Sequence, residues 1–220
     1  METQSERRAA PLSIDLFTDL VCPWCFVGNE RLERVLASSN QPAVVSHHPF
    51  LLDPGTPPEG KDIPEMLRRN YGVDPRRVWS RLEAEARKSG IELDLSKQRY
   101  SYPTVRAHTL IRHAAGKGTQ RALVRDLFRA NFLDAKNISD LDVLTEIAER
   151  HGFAPDEVSR LLGDGRELGT TLQDAAEAAA SGITGVPFYV LDQRFAISGA
   201  QQEEVLRAAI ERAASERQDP

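Results

Sequence analysis

The sequence is poorest in what membranes, nucleic acids and disulfide frameworks require. Nowhere in its 220 residues is there an apolar run near the ~18 residues of a membrane-crossing helix. The start, Met1 to Arg8, is polar and mixed in charge with no apolar segment behind it. A disordered leader over residues 1–11 on a cytoplasmic protein is the expectation. The formal charge of −5 is distributed among interspersed arginines, so no basic stripe is offered to DNA or RNA. Gly163, Gly165 and Gly169 are spaced one residue too wide for a dinucleotide fingerprint and follow a helical pattern, so they read as a helix stop and loop. There is no second C-x-x-C and no H-x-x-x-H. His47 and His48 point to opposite faces of a strand, and His108 and His113 miss a common helical face, so no metal site is expected.

Cysteine is nearly absent too, but the two that exist are Cys22 and Cys25, enclosing Pro23 and Trp24. Two cysteines placed at random in a chain this long fall three apart roughly 1% of the time, so the spacing argues for a paired redox or metal role. In a reducing compartment such a pair is better suited to catalysis or redox sensing than to stapling the fold. A thiolate is the nucleophile in disulfide exchange, and a helix N-terminus lowers a thiol's pKa. Cys22 is therefore the candidate nucleophile. Cys25, one turn further in, is the candidate resolving thiol. Pro23 and Trp24 form the active-site turn; they bias its redox poise without fixing whether the pair serves an oxidase, a reductase or an isomerase.

Leu12 to Thr18 and Ala43 to His48 read as strands. Between them Gly28, Leu32, Val35 and Leu36 form the apolar stripe of a helix beginning at or just after Cys22, with Pro23 suited to its first turn. Leu52 to Pro64, rich in proline, reads as a loop and domain boundary. Helices follow, opened by Asp74-Pro75, by Pro103, by Thr119, by a Ser139/Asp142 capping box, and by Pro155. Arg166 to Ser181 reads as a longer helix stopped by Gly182. Val186 to Leu191 and Arg194 to Ser198 then form a hairpin, and a final helix runs from about Gln202 to Ser215. This order describes a three-layer α/β domain interrupted by an all-helical block. The expected division is a thioredoxin-like unit of 12–60 and 182–220, a helical insertion of 61–165, and a connecting helix of 166–181.

Phe17 to Gly28, Ala107-His108, Gly182 to Phe188 and Ser198 to Gln201 together resemble the FrnE-like branch of the DsbA thioredoxin-fold family, which is related to 2-hydroxychromene-2-carboxylate isomerases and kappa-class glutathione transferases. The chain departs from these relatives at Pro103-Thr104, where an Asn commonly precedes the Thr or Ser. The resemblance implies an α/β thioredoxin fold with an all-helical insertion and a protein-disulfide oxidoreductase. It also makes Pro187 a cis-proline, with Val186 presenting its backbone to an incoming substrate strand. Without the resemblance, Pro187 reads as an ordinary trans proline opening a strand.

Asp19 is a candidate proton shuttle for the Cys25 thiol, or else a turn residue. His108 is either a core histidine or a site group. The leading reading is exchange with disulfide- or dithiol-containing protein or small-molecule clients, requiring no cofactor. The alternatives are an isomerase or transferase using glutathione as co-substrate, and a peptide-binding chaperone without chemistry. No nucleic-acid or membrane partner is expected, and a homodimer is compatible with the sequence.

Overall fold

A computed structural model describes residues 11–217; residues 1–10 of the expected leader lie outside them. β1 (Leu12–Thr18), α1 (Pro23–Ala37) and β2 (Ala43–Pro49) form a parallel βαβ unit, Leu12 opposite Ala43 and Thr18 opposite Pro49. The chain continues through a short strand pairing, β3 (Lys61–Asp62) with β4 (Tyr100–Ser101). Interleaved with it and following it are α2 (Ile63–Tyr71), α3 (Pro75–Lys88), α4 (Val105–Lys117), α5 (Gln120–Phe132), α6 (Leu141–Glu149), α7 (Pro155–Gly163) and α8 (Gly165–Ala180). It returns as the hairpin β5 (Phe188–Leu191) and β6 (Phe195–Ser198), then α9 (Glu203–Ser215). The sheet runs β2-β1-β5-β6, with β5 antiparallel to β1 and β6 antiparallel to β5.

Strand period explains the layers. Leu12, Ile14 and Leu16 alternate onto one face of β1 and pack with Leu32 and Val35 of α1 and Leu206 and Ile210 of α9. Phe17, on the opposite face, packs in a small cluster with Phe50, Ala178 and Ile183. The helical core is larger, and α1 enters it end-on. Phe26 stacks on Phe128 and Phe132 of α5 at centroid distances of 5.8 and 5.5 Å, an arrangement worth about 3–5 kcal/mol if Phe26 is truncated to Ala. The buried Arg31 also anchors α1. Its guanidinium donates to Ser89 Oγ at 2.7 Å, to the Ala200 carbonyl at 2.8 Å and to Glu85 Oε1 at 2.7 Å. The bond from Arg31, reinforced by Lys88 and Gln202, pulls the Glu85 carboxyl down to about 2.

Several local readings of the sequence change. The proline-rich segment is not loop throughout: β3 and α2 begin inside it, because Pro64 falls in the first turn of α2, where its missing N–H costs nothing, and Asp62 accepts from the Glu65 N–H. α4 begins at Val105, after Pro103, with Thr104 at its cap. Asp140, not Ser139, caps α6, accepting from the N–H groups of Asp142 and Val143; Ser139 instead bonds to the Asn137 side chain. Thr119 occupies the cap position of α5, yet its hydroxyl goes to the His151 carbonyl. The β5–β6 turn lacks glycine, and Asp192 and Gln193 take the left-handed backbone themselves, at φ 51° and 55°.

His47 sits on β2 beneath α4 and α5, its backbone bonded on both sides to the Gln120 side chain at 3.0 and 3.2 Å. Its ring nitrogens have no hydrogen-bond partner among the described residues. Burial first, then the charges of Arg121, His48 and His108, pull its imidazole from 6.5 to about 3. Unfolded chains therefore bind a proton that the native state refuses, so stability falls as pH drops from 6.5 towards 3, by up to roughly 4–5 kcal/mol. His47→Leu is expected to reduce proton uptake on unfolding in that window by about one. Unfolding titrations at several pH values check it, and an unchanged pH slope would contradict the assignment.

Candidate active site

The turn between β1 and α1 is pinned from both sides. The Cys22 N–H donates to the Asp19 carbonyl at 3.0 Å, and the Cys25 and Phe26 N–H groups donate back to the Cys22 carbonyl at 3.0 and 3.2 Å. Cys22 thus becomes the N-cap of α1, extended at φ −88° and ψ 111°, with Pro23 opening the helix. Both cysteines are free thiols. Cys22 retains 6% exposure and Cys25 none.

Their chemistry diverges accordingly. The Cys25 thiol, donating to the Cys22 sulfur, lowers the Cys22 pKa most; burial opposes it, and the N–H groups of Cys25 and Trp24 lower it further. Burial is the largest cause pushing Cys25 well above the ordinary thiol value, followed by the hydrogen bond and charge of Cys22. One thiol is made nucleophilic and the other is held as a protonated donor beneath it.

Val186 and Pro187 close the site from the hairpin side. The Cys22 Sγ lies 3.8 Å from the Val186 carbonyl, and the Val186–Pro187 peptide bond is cis. Gly28 lets these elements approach. A Cβ there would lie 2.4 Å from Tyr189 Oη and 2.9 Å from Pro187 Cγ.

Asp19 is buried under the turn. Its Oδ1 accepts from Thr104 Oγ1 at 2.8 Å and from the Val21 N–H at 3.5 Å, while its Oδ2 accepts from the Leu52 N–H at 2.8 Å. His108 Nε2 stands 3.7 Å from Oδ1. The structure thus brings His108 up to the Asp19 carboxylate. The other sequence candidates scatter: His47 lies in the core, His48 pairs with Asp15 at 2.7 Å, and His113 bonds to Glu167 at 2.8 Å. Among the described residues, no three His, Cys, Asp or Glu side chains are placed to hold a metal.

Beside Cys22 opens a cavity of about 610 Å³ lined by Trp24, Met66, Leu67, Trp79 and Phe132 among other apolar side chains. Gln98 and Asn131 supply polar lining; the Gln98 amide donates to Asn131 Oδ1, whose Nδ2 donates to the Leu20 carbonyl at 2.9 Å. Sequence reading did not single out Thr104, Gln98 or Asn131 as site residues. The available signal was Asn131 itself, an amide between Phe128 and Phe132 in an otherwise apolar helical stripe.

The chain matches the family model of the DSBA-like thioredoxin domain over residues 13–211. It is 32% identical to a probable DsbA oxidoreductase from Streptomyces coelicolor, with a TM-score of 0.84, covering 93% of this chain and 91% of that one. A 2-hydroxychromene-2-carboxylate isomerase shares the fold at TM-score 0.72 and 16% identity, over 94% of this chain and 98% of that one. So does the cytosolic disulfide reductase DsbM from Pseudomonas aeruginosa, solved with GSH, at TM-score 0.62 and 13% identity over 94% and 97% of the two chains.

Two outcomes are expected of this geometry. Iodoacetamide should modify Cys22 with a midpoint below the ordinary thiol value of 9.0 and leave Cys25 untouched in the native protein; mass spectrometry across pH reads both, and equal labelling of the two would contradict the assignment. Gly28→Ala should cost about 1–3 kcal/mol in thermal unfolding, because the added methyl overpacks against Tyr189 and Pro187; an unchanged unfolding midpoint would contradict it.

Proposed function

Because the chain belongs to the DSBA-like thioredoxin-domain family, we propose that it is a thiol-disulfide oxidoreductase working through Cys22-Pro23-Trp24-Cys25. The observation that carries this reading is the split between the two thiols, one lowered and lining the cavity, the other raised and fully enclosed.

The Cys22 thiolate attacks one sulfur of a client disulfide, and the other client sulfur leaves as a thiolate. Cys25 then loses its proton and attacks Cys22, forming the internal disulfide and releasing the reduced client. Run backwards, the same steps donate the disulfide to a dithiol. Asp19, whose carboxylate lies under the turn and whose charge acts on the Cys25 thiol, takes the Cys25 proton. The Val186 carbonyl and Pro187 shape the edge against which the client backbone lies, and the apolar cavity receives side chains beside the attacked sulfur. The sulfurs carry the electrons, so no cofactor is required, and a reducing cytoplasm is the compartment that keeps both thiols available.

A second reading has its own support. A cavity of about 610 Å³ with two tryptophans in its wall is large enough for a small aromatic substrate beside a thiol. A glutathione-dependent isomerase would use it so, and a 2-hydroxychromene-2-carboxylate isomerase is among the proteins that share the fold.

Cys25→Ser separates the two. For the oxidoreductase, turnover with a disulfide substrate falls by at least about 10²-fold and a mixed disulfide on Cys22 accumulates; for the isomerase, glutathione-dependent turnover survives unchanged. The potential of the wild-type pair against glutathione then gives direction: a value towards about −120 mV marks an oxidant, one near about −270 mV a reductase. A pair that forms no reversible disulfide would remove the oxidoreductase reading.

A further inference from the structure

His108 lies in the first turns of α4, is 2% exposed, and its Nε2 has no hydrogen-bond partner among the described residues. A buried, unpaired ring nitrogen ordinarily carries a cost in stability. This one faces Asp19 Oδ1 at 3.7 Å, longer than a hydrogen bond and short enough to become one with a small shift. Thr104 fixes that spacing. It is the N-cap residue of α4, its hydroxyl donates to the same Asp19 oxygen at 2.8 Å, and its carbonyl accepts the His108 N–H at 2.9 Å.

We propose that His108 is the terminal proton acceptor of a buried relay that runs from Cys25 through Asp19. The inference rests on the oxidoreductase reading above. With the client held as a mixed disulfide on Cys22, the Cys25 thiol passes its proton to Asp19, and Asp19 passes a proton to the Nε2 lone pair of neutral His108. The Cys25 thiolate forms a sulfur–sulfur bond with Cys22, the Cys22–client bond breaks, and the client leaves as a thiolate carrying the electron pair. The proton remains on His108, its charge paired with the restored Asp19 carboxylate. In the reverse direction the same proton returns to Cys25. His108 touches no reacting sulfur and is a positioning residue that acts through Asp19.

The surroundings leave this pairing uncontested. β2 presents His47, held neutral by burial. On α5, Arg121 is engaged by Glu33 at 2.8 Å. On α8, Glu167 is engaged by Arg112 and by His113, and on α7, Glu157 is engaged by Lys117 at 3.1 Å. Asp19 is the charged group within ion-pair distance of His108 among the described residues.

Ellman's reagent resolves the two chemical steps in the full-length protein. Release of the first thionitrobenzoate reports attack by Cys22, and release of the second reports attack by Cys25 on the resulting mixed disulfide. His108→Gln is expected to leave the first phase and its pH profile unchanged. The second phase should slow by at least about tenfold, and its pH profile should lose one ionisation. Asp19→Asn should produce a similar slowing, and the double variant should add little to either. A second phase with wild-type rate and profile in His108→Gln overturns the relay. Should that variant fail to fold, the wild-type second phase is followed in mixtures of H₂O and D₂O. A curved dependence on deuterium fraction marks more than one proton in flight, and a linear one overturns the proposal. Absence of any second phase in the wild-type protein is a different failure, that of the oxidoreductase reading itself.

Discussion

Helix α1 belongs to two cores at once, and the rest of the structure is arranged around that constraint. Its middle, Leu32 and Val35, is packed against the sheet and α9. Its first turn, with Cys25, Phe26 and Val27, is embedded in the helical core. Neither half of the molecule can shift without moving the helix start, and Arg31 ties that same helix to α3 and to the chain just after β6. The cap residue Cys22 is consequently held where three parts of the chain converge: the β1–α1 turn, the Val186–Pro187 corner and the helical block.

The same enclosure divides the chemistry of two identical side chains. Three residues along a helix start take a thiol from the edge of a cavity to full burial, and the two thiol pKa values are driven in opposite directions. The fold retains polar groups inside to support this. Asp19 holds the β1–α1 turn, the segment after β2 and the start of α4 together through Val21, Leu52 and Thr104, so the carboxylate beneath the cysteines is also the fastening of three chain segments.

Much of this was legible in the sequence because it is written in local chemistry. The alternation of Leu12, Ile14 and Leu16, the stripe of Leu32 and Val35, and Pro23 in a first turn each act over a few residues. They marked the βαβ unit and set Cys22 at a helix start. What escaped depends on partners distant in the chain. α2 was missed because the prolines around it signal loop while its apolar residues face a cavity instead of a core, and β3 is defined only by Tyr100 and Ser101, about forty residues away. Ser139 and Asp140 are both good cap residues, and the choice between them is made by Asn137, which occupies the serine. The convergence of Thr104 and His108 on Asp19 spans separations of 85 residues and more, and no spacing rule reaches that far.

α2 buries none of its residues, although Ile63, Met66 and Leu67 form part of the cavity wall beside Cys22. Stability resides elsewhere, in cores that α2 does not enter. Substitutions along its inner face therefore alter what the cavity admits at little expense to folding, whereas the opposite wall, with Trp24 and Phe132, is tied to the aromatic packing of the helical core. One wall of the cavity is thus decoupled from the folding cores while the other is part of them, and the nine residues of α2 can be rewritten to reshape the cavity with little effect on the packing that holds Cys22 in place.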